Sequence, residues 1–524
     1  EITPVAGGVL TGSALNADER IANAVKGLDH LDERLAPLVE VVPQPASPLP
    51  PSQRAIVTAA VDLLRRSAPE ERPPLIQLVG PHRHARAAVA ASIAAEVDCE
   101  LFRLPARLLP AGPADIDLTA RLWHREAVLA PVALFLDEED GDDTPGSRHA
   151  LTSFLSRSGG LLLLGGRDVT DELPGPTVAL DVAGPTAAEQ RAAWEEAVGP
   201  DGGVDVAPLV AQFDLDVDTI RSVVRYAGPL PDGPRGTRVL WAEARRQLRP
   251  RLESAAQRVE PVATWESLVL PEPELAVLHQ IAGQVAQRSR VYTDWGFGAR
   301  MNRGLGITAL FAGESGTGKS MAAEVLANDC DLDLYRIDLS SVVSKYIGET
   351  EKNLRRLFDA AEGGGVILFF DEADALFGKR SEVKDAHDRY ANIEVNFLLQ
   401  RMEVYRGLAI LATNMRGALD RAFTRRLRFI VTFPFPRPAD RARMWQIAFP
   451  PHVPLGPLDI SRLSRIDLTG AGVANAALNA AFLAAAAGHP VGMAEVLTAV
   501  RTELRKLERP INEADFRLEG QVRV

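Results

Sequence analysis

The chain has 524 residues, 46% of them apolar, and a formal net charge of −12. That length gives room for several domains with real cores, and the acidic balance, with no long basic stretch, disfavours a nucleic-acid partner. The two cysteines, Cys99 and Cys330, fit no metal-ligand spacing and argue against a disulfide framework. Apolar runs such as Ala480 to Ala487 are too short to span a bilayer, and no basic segment leads into an apolar one near the start. The expectation is a soluble, cytoplasmic protein with no membrane partner.

Along the chain, residues 1–51 suggest a short helix around Leu15 to Leu35 and then a Pro-rich linker, P-Q-P-A-S-P-L-P-P. Apolar residues recur at helical spacing from Ser52 to Arg66, at Ile56, Ala60, Leu63 and Leu64. Leu75 to Val79 reads as a strand ending at Gly80-Pro81. A helix from Ala85 to Val97 follows, then a strand from Pro131 to Leu136 that runs into Asp137-Glu138. Leu161 to Leu164 and Val178 to Val182 are further strands. A charged helical stretch, Val239 to Gln257, joins this part to the next.

In the second half an apolar run, Ile307 to Ala312, leads into Gly313-Glu-Ser-Gly-Thr-Gly-Lys-Ser320, and an Ala-rich helical pattern follows from Met321 to Asn328. Strand, glycine loop and helix are the context that a phosphate-binding loop requires. Gly313, Gly316 and Gly318 let the backbone turn its N–H groups inward on a phosphate chain, beside a helix N-terminus. The loop residues Glu314, Ser315 and Thr317 share that cradle. Lys319 can reach the β- and γ-phosphates, and Ser320 can ligate Mg²⁺. Strands at Leu334 to Ile337, Val366 to Phe370, Ala409 to Ala412 and Phe429 to Phe433, with a helix at Glu349 to Ala361, complete the alternation. That order implies a parallel α/β sheet with right-handed crossovers.

The two halves overlay. Gly80-Pro-His-Arg-His-Ala-Arg-Ala87 sits where the phosphate loop should be, with Arg86 in the place of Lys319. Lys319 and Asp371 are 52 positions apart (371 − 319), Arg86 and Asp137 are 51 apart (137 − 86). The first copy has lost its chemistry: Ala85 replaces the last loop glycine, Arg86 the lysine and Ala87 the Mg²⁺-ligating hydroxyl. Asp137 and Glu138 then read as structural. The division expected is 1–51, an N-terminal helix and linker; 52–195, a degenerate α/β module; 196–258, a helical lid and connector; 259–437, an active α/β module; and 438–524, a C-terminal helical lid.

The strand Val366 to Phe370 ends in Asp371-Glu372-Ala-Asp374. Carboxylates at the C-terminal end of a buried parallel strand fall where open α/β sheets bind ligands. Asp371 would hold Mg²⁺, and Glu372 would polarise the water that attacks the γ-phosphate. Asn414, after the next strand, could place its amide between that phosphate and the water, although an Asn closing a strand is as well explained by a turn. The basic cluster Leu419-Asp-Arg-Ala-Phe-Thr-Arg-Arg-Leu-Arg428 is either a solvated face or a source of transition-state charge for a neighbouring protomer.

Together these motifs resemble those of AAA+ ATPases: Gly313 to Ser320 resembles Walker A, Ile367 to Asp374 Walker B, Asn414 sensor 1, and Arg425 and Arg426 the arginine fingers of "L-D-x-A-x-x-R-R-F-D". Leu427 and Arg428 depart from that pattern. Thr469-Gly-Ala-Gly472 resembles the lid segment near adenine and ribose, which implies contacts from Gly470 and Ala471; no sensor 2 arginine is evident there. Ser344-Lys-Tyr-Ile-Gly-Glu349 resembles pore loop 1 of AAA-clade unfoldases, in which Lys345, Tyr346, Ile347 and Gly348 would grip a polypeptide; for Tyr346 alone an ordinary half-buried aromatic is the other reading. Trp295-Gly-Phe, Arg303 to Phe311, Phe377 to Lys384 and Leu504 to Pro510 look like the ATPase encoded with extracellular contractile injection systems, which are phage-tail-like particles. The resemblance implies tandem P-loop modules, each with an all-α lid, the first degenerate. It implies ATP and Mg²⁺ as cofactors, a homo-hexameric ring and a protein client in a contractile particle. A nucleotide-gated cap or adaptor with slow turnover is the alternative, and remodelling of DNA is disfavoured by the charge.

Overall fold

The computed structural model describes the chain except at residues 1, 5–14, 29, 46, 67–71, 139–144, 200–202, 253–255, 289, 301–305, 340–348, 362, 375–385, 415–423 and 517–524. It divides into two units, Glu1–Val206 with Leu215–Gly236, and Ala207–Asp214 with Thr237–Val524.

In the first unit six strands form one sheet, in the order Glu40–Val41, Glu100–Pro105, Val132–Asp137, Leu161–Gly166, Leu75–Val79, Thr177–Asp181. All neighbours are parallel except the first pair. The period-two alternation of a strand decides which layer each residue joins. Leu134 and Leu136 pack with Trp123 and Phe154 on one face. Ala133 and Phe135 pack with Val89 and Ile93 of the helix Arg83–Glu96 on the other. Near the start, the helix expected from Leu15 to Leu35 is instead a strand, Leu15–Ala17, and a short helix, Glu19–Val25. Asp18 caps that helix, its side chain accepting from the Arg20 amide, and Gly27 turns the chain at φ +71°.

The sheet of the second unit has the same order and the same directions: Gln257–Val259, Asp333–Asp338, Val366–Asp371, Leu408–Thr413, Ile307–Gly313, Phe429–Phe433, with only the first pair antiparallel. Again alternate residues serve opposite faces. Leu368 and Phe370 join one core and Ile367 and Phe369 the other. The strand Ile307–Gly313 lies between two parallel neighbours, so the loop that follows it opens at the sheet's C-terminal edge, the crevice where open α/β sheets take ligands.

The helix Pro234–Leu252 contributes its later turns to this second unit. Leu252 enters a core, and Arg245 and Arg249 grip the buried Asp333 carboxylate at 2.6 and 2.9 Å. Burial opposes that charge, yet the two arginines hold the Asp333 carboxyl below the usual carboxylate range.

Beyond Phe433 four helices, Pro438–Ile447, Ile460–Leu463, Gly470–Ala487 and Met493–Lys506, form a separate core around Trp445, Leu463, Ala476, Ala480, Val496 and Val500. Gly470–Ala487 is apolar over 18 residues, longer than the Ala480 to Ala487 run suggested. By length and composition it is the one candidate span among the described residues, and it lends Val473, Ala476, Ala480 and Ala484 to the core of this small bundle.

Candidate active site

The loop Gly313 to Ser320 joins the strand Ile307–Gly313 to the helix Lys319–Cys330. Gly316 and Gly318 take left-handed φ values of +78° and +107°. A side chain at either would strain the backbone. A Cβ at Gly316 would also come within 2.9 Å of both Ala471 Cβ and Thr469 Oγ1. The first helical amides, from Lys319 onward, have no partner within the helix and remain for an anion.

Lys319 is buried. Its Nζ donates to the carbonyls of Gly313 at 2.6 Å and Glu314 at 3.0 Å, and to Asn414 Oδ1 at 2.8 Å. Burial lowers the pKa of its ammonium from the ordinary lysine value, and the nearby carboxylates of Asp371 and Asp374 partly oppose that shift. Thr317 is buried and donates from Oγ1 to Glu314 O at 2.8 Å, which tightens the loop on itself. Ser320 is exposed at the helix start.

The strand Val366–Asp371 delivers two carboxylates at its end. Asp371 accepts from Arg336 Nε at 3.0 Å and Nη2 at 2.7 Å, and from the Glu372 amide at 3.0 Å. Glu372 is exposed and held at φ +53°, a left-handed conformation that costs a residue with a Cβ about 1–3 kcal/mol. That strained residue sits directly after the strand, at the sheet's C-terminal edge. Asp374 accepts from Thr413 Oγ1 and from the Asn414 amide, the latter at 3.2 and 3.0 Å. Asn414 is thus fixed through its backbone by one carboxylate while its side chain meets Lys319, a more specific arrangement than a turn alone would need.

Sequence reasoning brought Lys319, Asp371, Glu372 and Asn414 to this edge but assigned no role to Arg336 or to Asp374 in holding Asn414. The D-E-A-D string hinted at Asp374; no sequence signal pointed to Arg336. From the small helical bundle, the Ala471 amide donates to Gly316 O at 3.1 Å, and Thr469 caps its helix by accepting from the Gly472 amide. Gly470 and Ala471 therefore stand against the phosphate loop.

Arg425 and Arg426 are both exposed. Arg426 Nε lies 3.8 Å from Glu403, and among the described residues no hydrogen bond or ion pair joins either arginine to the phosphate loop. Leu427, where the pattern departs, is buried in the core, and Arg428 donates to Tyr292 Oη at 2.6 Å. Lys345, Tyr346, Ile347 and Gly348 lie outside the described residues.

The first unit repeats this geometry with other side chains. Arg86 is fully buried and donates from Nη1 to Gly80 O, the counterpart of the Lys319 bond to Gly313 O. Asp137, the counterpart of Asp371, accepts from Arg103 Nε at 2.9 Å, and Arg103 holds the same fourth place in its strand as Arg336. Arg83 adds a second cation to Asp137, also at 2.9 Å.

Comparison with known proteins agrees with this geometry. Residues 309–437 match the family described as "ATPase family associated with various cellular activities (AAA)", and residues 186–250 match "Contractile injection system ATPase helical domain". The chain is 31% identical over 197 residues to "Uncharacterized AAA family ATPase y4kL" of Sinorhizobium fredii, covering 37% of this chain and 56% of that protein. It is 34% identical over 143 residues to "Vacuolar protein sorting-associated protein 4" of Dictyostelium discoideum, covering 26% of this chain and 32% of that one. Against "Cell division cycle protein 48 homolog" of Archaeoglobus fulgidus the identity is 29% over 199 residues, 37% of this chain and 26% of the relative. The chain thus spans about half or less of the length of these relatives. On its phosphate loop, its strand-end carboxylates and these matches, residues 309–437 are similar to the ATPase domain of the AAA family, and residues 186–250 to the helical domain of contractile injection system ATPases.

Proposed function

We propose that the chain is a Mg-ATP-dependent AAA+ remodeller that works as a homo-hexameric ring on a protein client, in the assembly or recycling of a contractile injection particle. The observation that carries the reading is the link from Gly313 and Glu314 through Lys319 to Asn414 and Asp374, with Glu372 exposed at the end of the neighbouring strand. On ATP binding the Lys319 ammonium exchanges its loop carbonyls for phosphate oxygens, and Asn414 keeps it aligned. Glu372 takes the proton of the attacking water. Ser320 and Asp371 suit Mg²⁺, a hard cation that keeps several waters and needs only one or two protein oxygens beside the phosphates. Bound there, the ion would neutralise charge on the β- and γ-phosphates. Arg336 then orients the Asp371 carboxylate. The free cysteines Cys99 and Cys330 suit a reducing compartment such as the cytoplasm, and neither a membrane nor a nucleic acid is part of this reading.

The reading includes tandem AAA+ modules with the first one degenerate; the first sheet already begins at Glu40–Val41, before residue 52, and the second begins with Gln257–Val259, across the expected 258/259 boundary. Its support is the shared strand order of the two sheets and the pair of matching contacts, Arg86 to Gly80 and Arg103 to Asp137. Arg83 and Arg103 both pair with Asp137, so that carboxylate is already neutralised internally, while Arg86 fills the loop where Lys319 sits in the second unit. A guanidinium is also not a geometric substitute for the lysine. Calorimetric titration of the full-length Lys319→Ala protein should therefore detect no ATP binding at micromolar concentrations. Binding at that level, removed by Arg86→Ala, would overturn the degenerate reading.

Tyr346 tests whether hydrolysis serves threading. Lys345 to Gly348 would form the loop that grips the client, its aromatic ring offering a large amphipathic contact that suits many peptide sequences. Tyr346→Ala should leave basal ATP turnover within about threefold of wild type, as for a group outside the transition-state contacts. It should abolish client stimulation and unfolding of the client, while Tyr346→Phe retains most of both. A mutant that remodels normally would favour a nucleotide-gated cap or adaptor instead. One that loses basal turnover would make Tyr346 a core residue.

A further inference from the structure

Arg509 follows the α-helix Met493–Lys506, and the way that helix ends decides where the side chain goes. Glu508 takes φ +53°, while the amides of Glu508 and Arg509 fold back on Arg505 O at 3.1 Å and Leu504 O at 3.0 Å. This double bond pattern closes a helix at a left-handed residue that is most often glycine. Here a residue with a side chain holds the turn, and the chain reverses directly into Arg509.

The Arg509 guanidinium meets three parts of the second unit. Its Nη1 donates to Asp467 O in the helical bundle at 3.3 Å. Its centre lies 4.8 Å from the ring centroid of Phe435, in the connection between the strand Phe429–Phe433 and the helix Pro438–Ile447; Arg441 flanks the same ring at 6.0 Å. Its Nη2 lies 3.5 Å from Glu314 Oε2. Glu314 is the second residue of the phosphate loop, and its carbonyl is one of the two that hold the Lys319 ammonium.

A carboxylate at the lip of a phosphate cradle repels the anion the cradle must take, and the repulsion grows with the charge of that anion. A nucleoside triphosphate is therefore penalised more than a diphosphate unless a cation accompanies Glu314. We propose that Arg509 is a specificity-determining positioning residue: by neutralising Glu314 it sets the preference of this site for a triphosphate, and through Phe435 and Asp467 it ties that preference to the position of the helical bundle. Stacking on Phe435 keeps the guanidinium in place when Glu314 moves, which an isolated surface ion pair could not do. The proposal rests on the ATPase reading.

The test measures ATP and ADP affinities separately, by titration calorimetry on the full chain carrying Glu372→Gln so that ATP persists. Adding Arg509→Gln should weaken ATP binding about tenfold and ADP binding by less than about threefold, the scale of one uncompensated charge near a phosphate-binding loop. Glu314→Gln on top of Arg509→Gln should bring ATP affinity back to within about threefold of the parent, and Arg509→Lys should retain most of the preference. Equal losses for ATP and ADP, with no rescue by Glu314→Gln, would make Arg509 a structural residue and overturn the proposal. So would an unchanged ATP-to-ADP ratio, whatever the melting temperature does. If the Glu372→Gln parent binds neither nucleotide, the ATPase reading falls and takes this inference with it.

Discussion

Glu372→Gln should leave ATP bound and cut its hydrolysis by about 10²–10⁴-fold, the range that a positioned general base contributes. The side chain keeps its size and its place at the end of the strand Val366–Asp371 but loses the ability to accept a proton from water. Its strained backbone, at φ +53°, is unchanged by the substitution, so the fold should tolerate it. Lys319→Ala should act on the other half of the cycle. It removes the ammonium that would contact phosphate already in the ground state. The loss of charge-assisted bonds worth about 1.5–3 kcal/mol each corresponds to roughly a hundredfold or greater drop in affinity. Calorimetric titration with ATP and steady-state phosphate release together separate the two effects. Turnover by Glu372→Gln at the wild-type rate would remove Glu372 from the chemistry, and tight ATP binding by Lys319→Ala would remove Lys319 from the phosphate site.

Replacing both Arg425 and Arg426 by Ala should cut hydrolysis by about 10³-fold or more while leaving ATP affinity near wild type, the scale known for arginines that act across an interface. Both guanidinium groups are exposed, and neither is bonded to the phosphate loop of its own chain among the described residues, as expected of groups that serve a neighbour's site. Mixing this double mutant with Lys319→Ala protein should restore part of the turnover, since some interfaces would pair an intact loop with intact arginines. If mixed rings form and turnover stays at the level of the separate mutants, the arginines act within one chain or only support the fold around Leu427.

The phosphate loop, the strand that precedes it and the carboxylates after Phe370 were legible from the sequence because their chemistry is local. A phosphate cradle is built from consecutive backbone amides and needs glycine at fixed places, and a buried parallel strand announces itself as an unbroken apolar run. The near-equal spacing between loop and acidic strand end in the two halves was also legible, since it is a property of the chain alone; the shared order of strands within the two sheets came only from the structure. The segment from Leu15 to Leu35 does not form the single helix its composition suggests. There the apolar spacing is sparse, and Asp18 and Gly27, one a cap and the other a left-handed turn, set the boundaries instead.

What only the tertiary structure decided is how the polar groups of the site share their bonds. Arg336 reaches Asp371 across 35 positions, Asn414 is pinned by Asp374 across 40, and Lys319 meets Asn414 across 95. Arg509 meets Glu314 across 195 (509 − 314). No residue type at either end foretells such a partner, because a guanidinium or a carboxylate is satisfied equally well by water on any surface. The parallel sheet selects among these partners by bringing the ends of separate strands to one edge. The Phe435 connection and the turn at Glu508 do the same for the lid. Sequence alone therefore showed which residues could form a phosphate site, and the packing of the sheet and lid decided which side chains hold them in place, since desolvation makes each buried charge depend on the partner the fold provides.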